Sequence, residues 1–203
     1  KVFNDRYSIP LYQRSFAWGT EQIKTLLQDI YSNYQEKKDI PYYVGSLIVK
    51  ARENTFEVID GQQRLTFFTL LTKILGINES ECKITYESRE LEQKFLDSFY
   101  NDENFYRKNG VDSNLKRRNA DLIKAIYDIN HVSLIAEGDS VKSHTLTNVL
   151  ESEERDDFIK YVQNNVILLR TEVSKNTDVT SYFEIMNNRG KQLQKHEILK
   201  SLI

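Results

Sequence analysis

The chain has 203 residues, of which 28 are basic and 30 acidic, so its formal net charge is -2 at pH 7. That balance excludes a uniformly basic nucleic-acid-binding protein, although it leaves room for a local basic patch. With 12 tyrosines and 10 phenylalanines but only 7 glycines and 2 prolines, the composition argues against a turn-rich all-β fold and favours long helices around an aromatic core.

The first part of the chain, residues 1–77, predicts an α+β unit. Pro10 stops the first strand, and Thr20 is the candidate N-cap of the first helix. Apolar residues recur at helical spacing in both predicted helices, and two later strands form a hairpin. The predicted elements are strands at 6–11, 42–50 and 56–59, a turn at 51–54, and helices spanning 23–34 and 65–75.

The remainder, residues 78–203, predicts a mainly helical part with one late strand at 165–173. That strand is a continuous apolar run, which suggests burial on both faces and a return to the early sheet. The other predicted elements are helices at 90–100, 113–130 and 180–186, a helix that starts within 151–157, a final helix from 193, and loops at 101–112 and 136–143.

The sequence Asp60-Gly61-Gln62-Gln63-Arg64 lies where a predicted strand ends and a helix begins. The first N–H groups of a helix have no internal partner and carry partial positive charge, so this junction with its arginine predicts a phosphate site. Asp60 could hold Mg²⁺ against those phosphates, while Gly61 makes the turn. The alternative is a simple helix start, with Asp60 as N-cap and exposed glutamines.

A second candidate surface is basic. Lys116, Arg117 and Arg118 cluster on the predicted helix at 113–130. We interpret them as a solvated helix face, and the alternative is a contact with DNA phosphates.

The single cysteine, Cys82, cannot form an intrachain disulfide, so we expect a reducing, cytoplasmic location. No apolar run approaches the roughly 18 residues that a membrane span needs, and no signal peptide opens the chain. The sequence begins with Lys1 rather than Met and ends inside a predicted helix at Ile203. We therefore expect a fragment of a longer protein.

Three stretches occur in the order that is typical of the N-terminal domain of the GmrSD-type restriction family. They are IPLYQRSFAW at 9–18, DGQQRLTFFTL at 60–70 and FEIMNNRGKQLQKHEILK at 183–200. Phe16 replaces a common tyrosine of the family pattern, and Phe67 and Phe68 replace threonine and leucine. The chain resembles this family over nearly its whole length, and none of the departures touches the polar residues.

This resemblance implies a ParB/sulfiredoxin-like α+β fold followed by helices. It also implies binding and Mg²⁺-dependent hydrolysis of a nucleoside triphosphate, coupled to restriction of foreign or modified DNA in phage defence. An HNH-type nuclease domain commonly follows in such proteins and would lie beyond Ile203. The oligomeric state stays open, with a homodimer as one option.

The resemblance also implies roles for the central motif. Asp60 would ligate Mg²⁺ or polarise the attacking water, and Gly61 would let the backbone approach the phosphates. Gln62 and Gln63 would orient water or γ-phosphate oxygens, because phosphoryl transfer depends on positioning and charge stabilisation. Arg64 would neutralise the developing negative charge.

The outer motifs add further binding residues by the same resemblance. Arg14 would bring a second cation, and Tyr12 and Gln13 would shape the pocket or reach the base. Asn187 and Arg189 would close the site from the helical part. The chain has no Gly-rich loop that ends in Gly-Lys-Ser/Thr, which argues against a P-loop nucleotidase.

Structural alternatives remain for each outer motif. Arg14 could pair with an acid near Trp18, and Tyr12 and Trp18 could pack in the core rather than stack on a base. Residues 187–190 could be only a helix cap. At the level of function, the rival to a hydrolase is a module that binds DNA or a partner, in which the nucleotide acts as a conformational switch without turnover. A third interpretation, DNA nicking by this domain, would need a paired-carboxylate metal site that the sequence does not reveal.

Overall fold

The computed structural model describes residues 5–77, 82–102, 104–135, 143–174, 176–178 and 182. Within them the chain is α+β, which confirms the predicted fold class. The strands are β1 (Tyr7–Ile9), β2 (Tyr42–Ala51), β3 (Phe56–Asp60), β4 (Ile84–Tyr86), β5 (Leu134–Ile135), β6 (Ser143–His144) and β7 (Val166–Glu172). The helices are α1 (Thr20–Glu36), α2 (Gln62–Ile74), α3 (Glu90–Asn101), α4 (Ser113–Arg118), α5 (Ala120–His131), α6 (Leu146–Leu150) and α7 (Arg155–Asn165).

The main sheet has five strands in the order β4-β1-β3-β2-β7, and β5 and β6 pair separately. Strand β1 runs parallel to both β3 and β4, whereas β2 runs antiparallel to β3 and parallel to β7. The ends of β1, β3 and β4, at Ile9, Asp60 and Tyr86, therefore lie at one edge of the sheet, which we call the carboxyl edge. The predicted phosphate corner belongs to this edge.

Two strands of this sheet come from beyond Ile77. Strand β7 covers most of the predicted late strand and pairs with β2. Its predicted burial on both faces is wrong, because β7 is an edge strand and Leu169 is 54% exposed. Strand β4 was not predicted, since its three residues are too few to show a period.

Helix α2 is the central helix of the fold. Its sequence predicts one apolar stripe, but Phe67 and Leu70, which lie off that stripe, are also fully buried. Helix α1 buries the predicted stripe from Ile23 to Tyr34. The expectation that Thr20 caps α1 is wrong, because Gly19 occupies the N-cap position and the Thr20 hydroxyl donates to Asp128 at 2.9 Å.

The helical part differs in two places from the sequence prediction. The predicted helix at 113–130 is broken at Asn119, whose buried side-chain amide donates to the carbonyls of Leu91 and Leu115. The predicted loop at 101–112 contains a 3-10 helix, Phe105–Arg107, because Phe105 and Tyr106 are buried. The helices predicted at 180–186, apart from Tyr182, and from 193 onward lie outside the described residues.

No helix in the described part of the chain combines the length and the apolar character that a membrane crossing requires.

Candidate functional site

The turn between β3 and α2 depends on Gly61. Its φ is 92°, in the left-handed region that a residue with a side chain rarely adopts. A Cβ at this position would lie 2.8 Å from the carbonyl oxygen of Ser46 and 3.2 Å from Cα of Leu47. The close backbone approach that Gly61 permits in the structure is therefore to β2, and it seats the start of α2 against that strand.

Arg64 projects from the first turn of α2 toward the same strand. Its Nη2 donates to the Ser46 carbonyl at 3.0 Å, and a Cβ on Gly45 would lie 2.7 Å from its Nη1. Nη2 lies 3.7 Å from the Asp60 carboxylate, which is too far for a direct hydrogen bond. The guanidinium is thus fixed by one backbone bond and a glycine, while its other N–H donors have no partner among the described residues.

Asp60 ends β3 with its side chain 48% exposed. The N-cap position of α2 belongs to Gly61, so the alternative that Asp60 serves only as N-cap does not describe the structure. Within the described residues, no group of three or more His, Cys, Asp or Glu side chains could hold a metal ion. A lone exposed carboxylate beside an arginine still fits Mg²⁺, since this ion is usually held by one or two carboxylates together with substrate phosphates.

The two glutamines of the motif point into the protein. Gln62 is 3% exposed, and its Oε1 accepts a hydrogen bond from Nε2 of Gln63 at 2.7 Å. The Gln63 side chain binds the backbone of the segment after β1, because its Oε1 accepts from the N–H of Ala17 at 2.8 Å and its Nε2 donates to the carbonyl of Ser15 at 3.0 Å. Gln63 therefore connects the start of α2 to the segment after β1.

We call residues 10–19 the docked loop, because it is held to the carboxyl edge at further points. Buried Gln13 donates to the carbonyl of Ile59 at 2.6 Å, one residue before Asp60. Ser15 Oγ donates to Glu92 at 2.5 Å on the other side of the loop. Sequence reasoning placed Gln13 in the pocket, whereas the structure uses its amide to attach the loop to β3.

Between these attachments, Tyr12 and Arg14 project from the loop. Tyr12 is 40% exposed and its hydroxyl donates to Glu57 at 3.3 Å; burial and, to a lesser extent, the Glu57 carboxylate raise the pKa of Tyr12 above its ordinary value. Arg14 is exposed and has no polar partner among the described residues, so the alternative in which it pairs with an acid near Trp18 is not seen there. Trp18 packs on Phe67 with ring centroids 5.5 Å apart, which agrees with its predicted packing role.

A cavity of about 420 Å³ lies beside Arg64, and we call it the Arg64 groove. Asp29 at this groove accepts a hydrogen bond from the Tyr42 hydroxyl at 3.1 Å. Burial and the Asp29 carboxylate raise the pKa of Tyr42 to about 12. The groove is lined by Trp18, Glu21, Gln22, Thr25, Leu26, Asp29, Tyr42, Val44 and Arg64.

Sequence reasoning missed Gly45, Asp29 and Tyr42. Gly45, with φ of 126°, lies at an irregularity of β2, and a glycine inside a strand often marks a close approach by another group. That signal was present in the sequence. The sequence contains no such signal for Asp29 and Tyr42, because only the packing of α1 on β2 brings these two residues together.

The basic cluster lies on the short helix α4, which packs against α3 and α5. Lys116 donates to the carbonyl of Lys108 at 3.2 Å, and Arg117 lies 3.5 Å from Asn114 Oδ1 within its own helix. Arg118 is exposed. This arrangement is compatible with either interpretation of the cluster.

Asn187 and Arg189 lie outside the described residues. Tyr182, the last described residue, packs against Ile48 and Ile59 on the sheet face opposite the main core. The described chain thus ends next to the strand that carries Asp60.

These features, an α+β sheet with an arginine and an exposed carboxylate at its carboxyl edge, can be compared with known families. The family model described as "GmrSD restriction endonuclease, N-terminal domain" matches residues 1–203. The chain belongs to this family, as the three sequence motifs indicate. No curated protein matches the chain.

Proposed function

We propose that this domain binds a nucleoside triphosphate with Mg²⁺ at the Asp60–Arg64 corner and hydrolyses it, as part of a DNA restriction protein in phage defence. The observation that supports the proposal is the state of Arg64. Its guanidinium is held in place by a single hydrogen bond to Ser46 and faces an open groove, beside a half-exposed carboxylate. A preorganised cation with spare donors is what a phosphate oxygen requires.

Each member of the site has a proposed role. Asp60 holds Mg²⁺ against the phosphates or polarises water, and Arg64 stabilises negative charge as it develops. Arg14 supplies a second cation from the docked loop, which Gln13 and Gln63 hold in position. Tyr12, Gln62 and Gly61 shape the surrounding backbone, and Asn187 and Arg189 close the site.

The test is release of inorganic phosphate by the purified protein with each nucleoside triphosphate and Mg²⁺. Asp60→Ala should lower turnover at least about 100-fold, because it removes the carboxylate that is proposed to hold Mg²⁺ at the corner. Asp156→Ala is the matched control, since Asp156 also lies 3.7 Å from an arginine near a helix start but on α7. Equal turnover of the wild-type and Asp60→Ala proteins would remove Asp60 from the chemistry.

A second candidate function is a nucleotide switch without turnover. It is favoured by the glutamines, because Gln62 is buried and both polar atoms of the Gln63 amide are bonded to protein. The Gln63 amide is therefore engaged by the docked loop, whereas Gln62 Nε2 has no hydrogen-bond partner among the described residues but is buried away from an attacking water. Tight triphosphate binding without phosphate release, in the presence of Mg²⁺ and DNA, would support the switch and contradict the hydrolase.

The remaining partners follow from family membership and are proposals. The whole restriction protein would bind DNA, and an HNH-type nuclease domain would cleave the DNA. A direct contact of DNA with Lys116, Arg117 and Arg118 stays a prediction, as does a homodimer. DNA nicking by this domain itself gains no support, because no group of three or more His, Cys, Asp or Glu side chains among the described residues could hold a metal ion.

A further inference from the structure

The Arg64 groove has two chemically different ends. One end carries the Arg64 guanidinium, which bonds to Ser46 on β2. The other carries the Asp29 carboxylate, which Tyr42 holds from the beginning of the same strand. Three residues lie between Tyr42 and Ser46 on β2, and four steps along a regular strand span roughly 13 Å.

The opposite charges at the two ends determine the orientation in which a nucleotide can bind in the Arg64 groove. The triphosphate carries several negative charges, so its favourable position is at Arg64, the cation among the described residues that line the groove. Its unfavourable positions are at the two lining carboxylates, Glu21 and Asp29. A nucleotide whose phosphates occupy the Asp60–Arg64 corner therefore directs its base along the groove toward Asp29. Tyr42 at that end adds an aromatic ring, a surface on which bases stack.

The chemistry of Asp29 then selects among bases. An ionised carboxylate only accepts hydrogen bonds, and it offers two acceptor oxygens side by side. Guanine presents two neighbouring donors, N1–H and the 2-amino group, on its Watson–Crick edge. Adenine and cytosine each present one donor next to a ring-nitrogen acceptor, and uracil presents one donor between two carbonyl oxygens, so each of these places an acceptor against the carboxylate.

We infer that the Arg64 groove is a guanine-nucleotide site in which Asp29, oriented by Tyr42, recognises the base. This inference rests on the proposed function, since it takes the phosphates to lie at the Asp60–Arg64 corner. It adds the identity of the nucleotide and a specificity-determining residue that lies outside all three sequence motifs.

The protein carries its own probe for the test, because its one tryptophan, Trp18, lines the groove. Non-hydrolysable analogues of GTP, ATP, UTP and CTP are titrated with Mg²⁺ while Trp18 fluorescence is recorded. We expect the GTP analogue to bind at least about tenfold more tightly than the other three, which is the discrimination that a good bidentate contact gives.

Asp29→Asn tests the recognition itself. The asparagine keeps an oxygen for the Tyr42 hydroxyl but offers one donor and one acceptor to the base. The variant should lose the preference for the GTP analogue and gain affinity for xanthosine triphosphate, in which a carbonyl oxygen replaces the 2-amino group. Asp39→Asn makes the same charge change in the exposed loop after α1, away from the groove, and should keep the wild-type preference.

The outcomes separate the two proposals. Equal affinity for all four analogues, unchanged by Asp29→Asn, would overturn the guanine inference and leave the nucleotide site at Arg64 in place. Absence of binding by any triphosphate, confirmed by calorimetry in the presence of Mg²⁺, would overturn the proposed function and the inference with it. A shift toward xanthosine triphosphate in Asp29→Asn alone would establish contact with the base, since a merely structural role of Asp29 would not produce it.

Discussion

Arginines at the two edges of the sheet are held in different ways. At the edge where β1 and β3 begin, Arg170 contacts the Asp5 carboxylate at 2.6 Å and lies 4.0 Å from the centre of the Phe56 ring. Arg52, in the hairpin turn at this edge, donates through Nε to Glu57 at 2.7 Å. Both cations are neutralised within the protein, so their role is to hold strands and turns together.

At the carboxyl edge, the arginines keep their binding capacity. Arg64 donates one hydrogen bond to the neutral carbonyl of Ser46, and Arg14 has no polar partner among the described residues. The Asp60 carboxylate lies 3.7 Å from Arg64, beyond direct hydrogen-bond distance, so most N–H donors of this guanidinium are not used within the described part of the chain. Under the proposed function, the protein uses arginines to stabilise one edge of the sheet and to bind the triphosphate at the other.

The test with the largest expected effect replaces one arginine at each edge of the sheet by alanine. Arg64→Ala should weaken triphosphate binding roughly 10- to 100-fold, the range for losing a charge-assisted hydrogen bond, and should lower the free energy of unfolding by less than about 1 kcal/mol. Arg170→Ala should leave the affinity unchanged and lower the free energy of unfolding by about 1–2 kcal/mol, because it removes a partly exposed ion pair and a cation–π contact. Trp18 titration and urea unfolding measure both quantities.

The comparison would fail if Arg170→Ala weakened nucleotide binding as much as Arg64→Ala. It would also fail if Arg64→Ala were as destabilising as Arg170→Ala, since Arg64 would then be a structural residue.

Local patterns in the sequence predicted most of the framework. The stripe on α1, the hairpin of β2 and β3, and the turn at Gly61 depend on neighbours within a few residues, so periodicity and turn chemistry suffice for them. The break at Asn119 could not be predicted in this way, because it depends on a bond to Leu91 in another helix.

In the candidate site, too, features set by neighbouring residues could be predicted, whereas contacts between distant residues could not. The sequence located the corner from Asp60 to Arg64, but it could not show that Gln63 binds Ser15 and Ala17, since these partners lie more than forty residues earlier in the chain. A glutamine that touches backbone and one that touches a ligand look alike in a motif. Only the register of the docked loop against α2 distinguishes the two.

The role of Gln63 gives the next prediction, of intermediate size. Gln63→Ala removes both bonds to the docked loop, so the loop should open locally more often. Trypsin should then cut after the exposed Arg14 about tenfold faster than in the wild type, as followed by mass spectrometry of the released fragment. Gln35→Ala, which removes an exposed glutamine that bonds Glu154 at 3.2 Å, is the control. An unchanged cutting rate in Gln63→Ala would show that the loop is held without this side chain.

The smallest expected effect concerns the acid end of the groove. The pKa of Tyr42 rises from 10.0 to about 12 in the folded protein, chiefly because burial disfavours the phenolate and then because Asp29 is negative. The folded state therefore binds this proton more tightly than the unfolded state. The resulting stability is fully present below pH 10 and is lost as the pH rises through about 12.

Urea unfolding of the wild type and Tyr42→Phe, from about pH 9 to about pH 11.5, isolates this contribution from that of other buried tyrosines. The wild type should lose more stability than the variant over this range, by under about 1 kcal/mol, because Tyr42 is partly exposed and water screens its interaction with Asp29. Tyr43→Phe is the matched control, since the adjacent Tyr43 is 65% exposed. If the wild type and Tyr42→Phe lost stability in parallel, Tyr42 would not be the group that fixes the Asp29 carboxylate, and the groove would have only one ordered end.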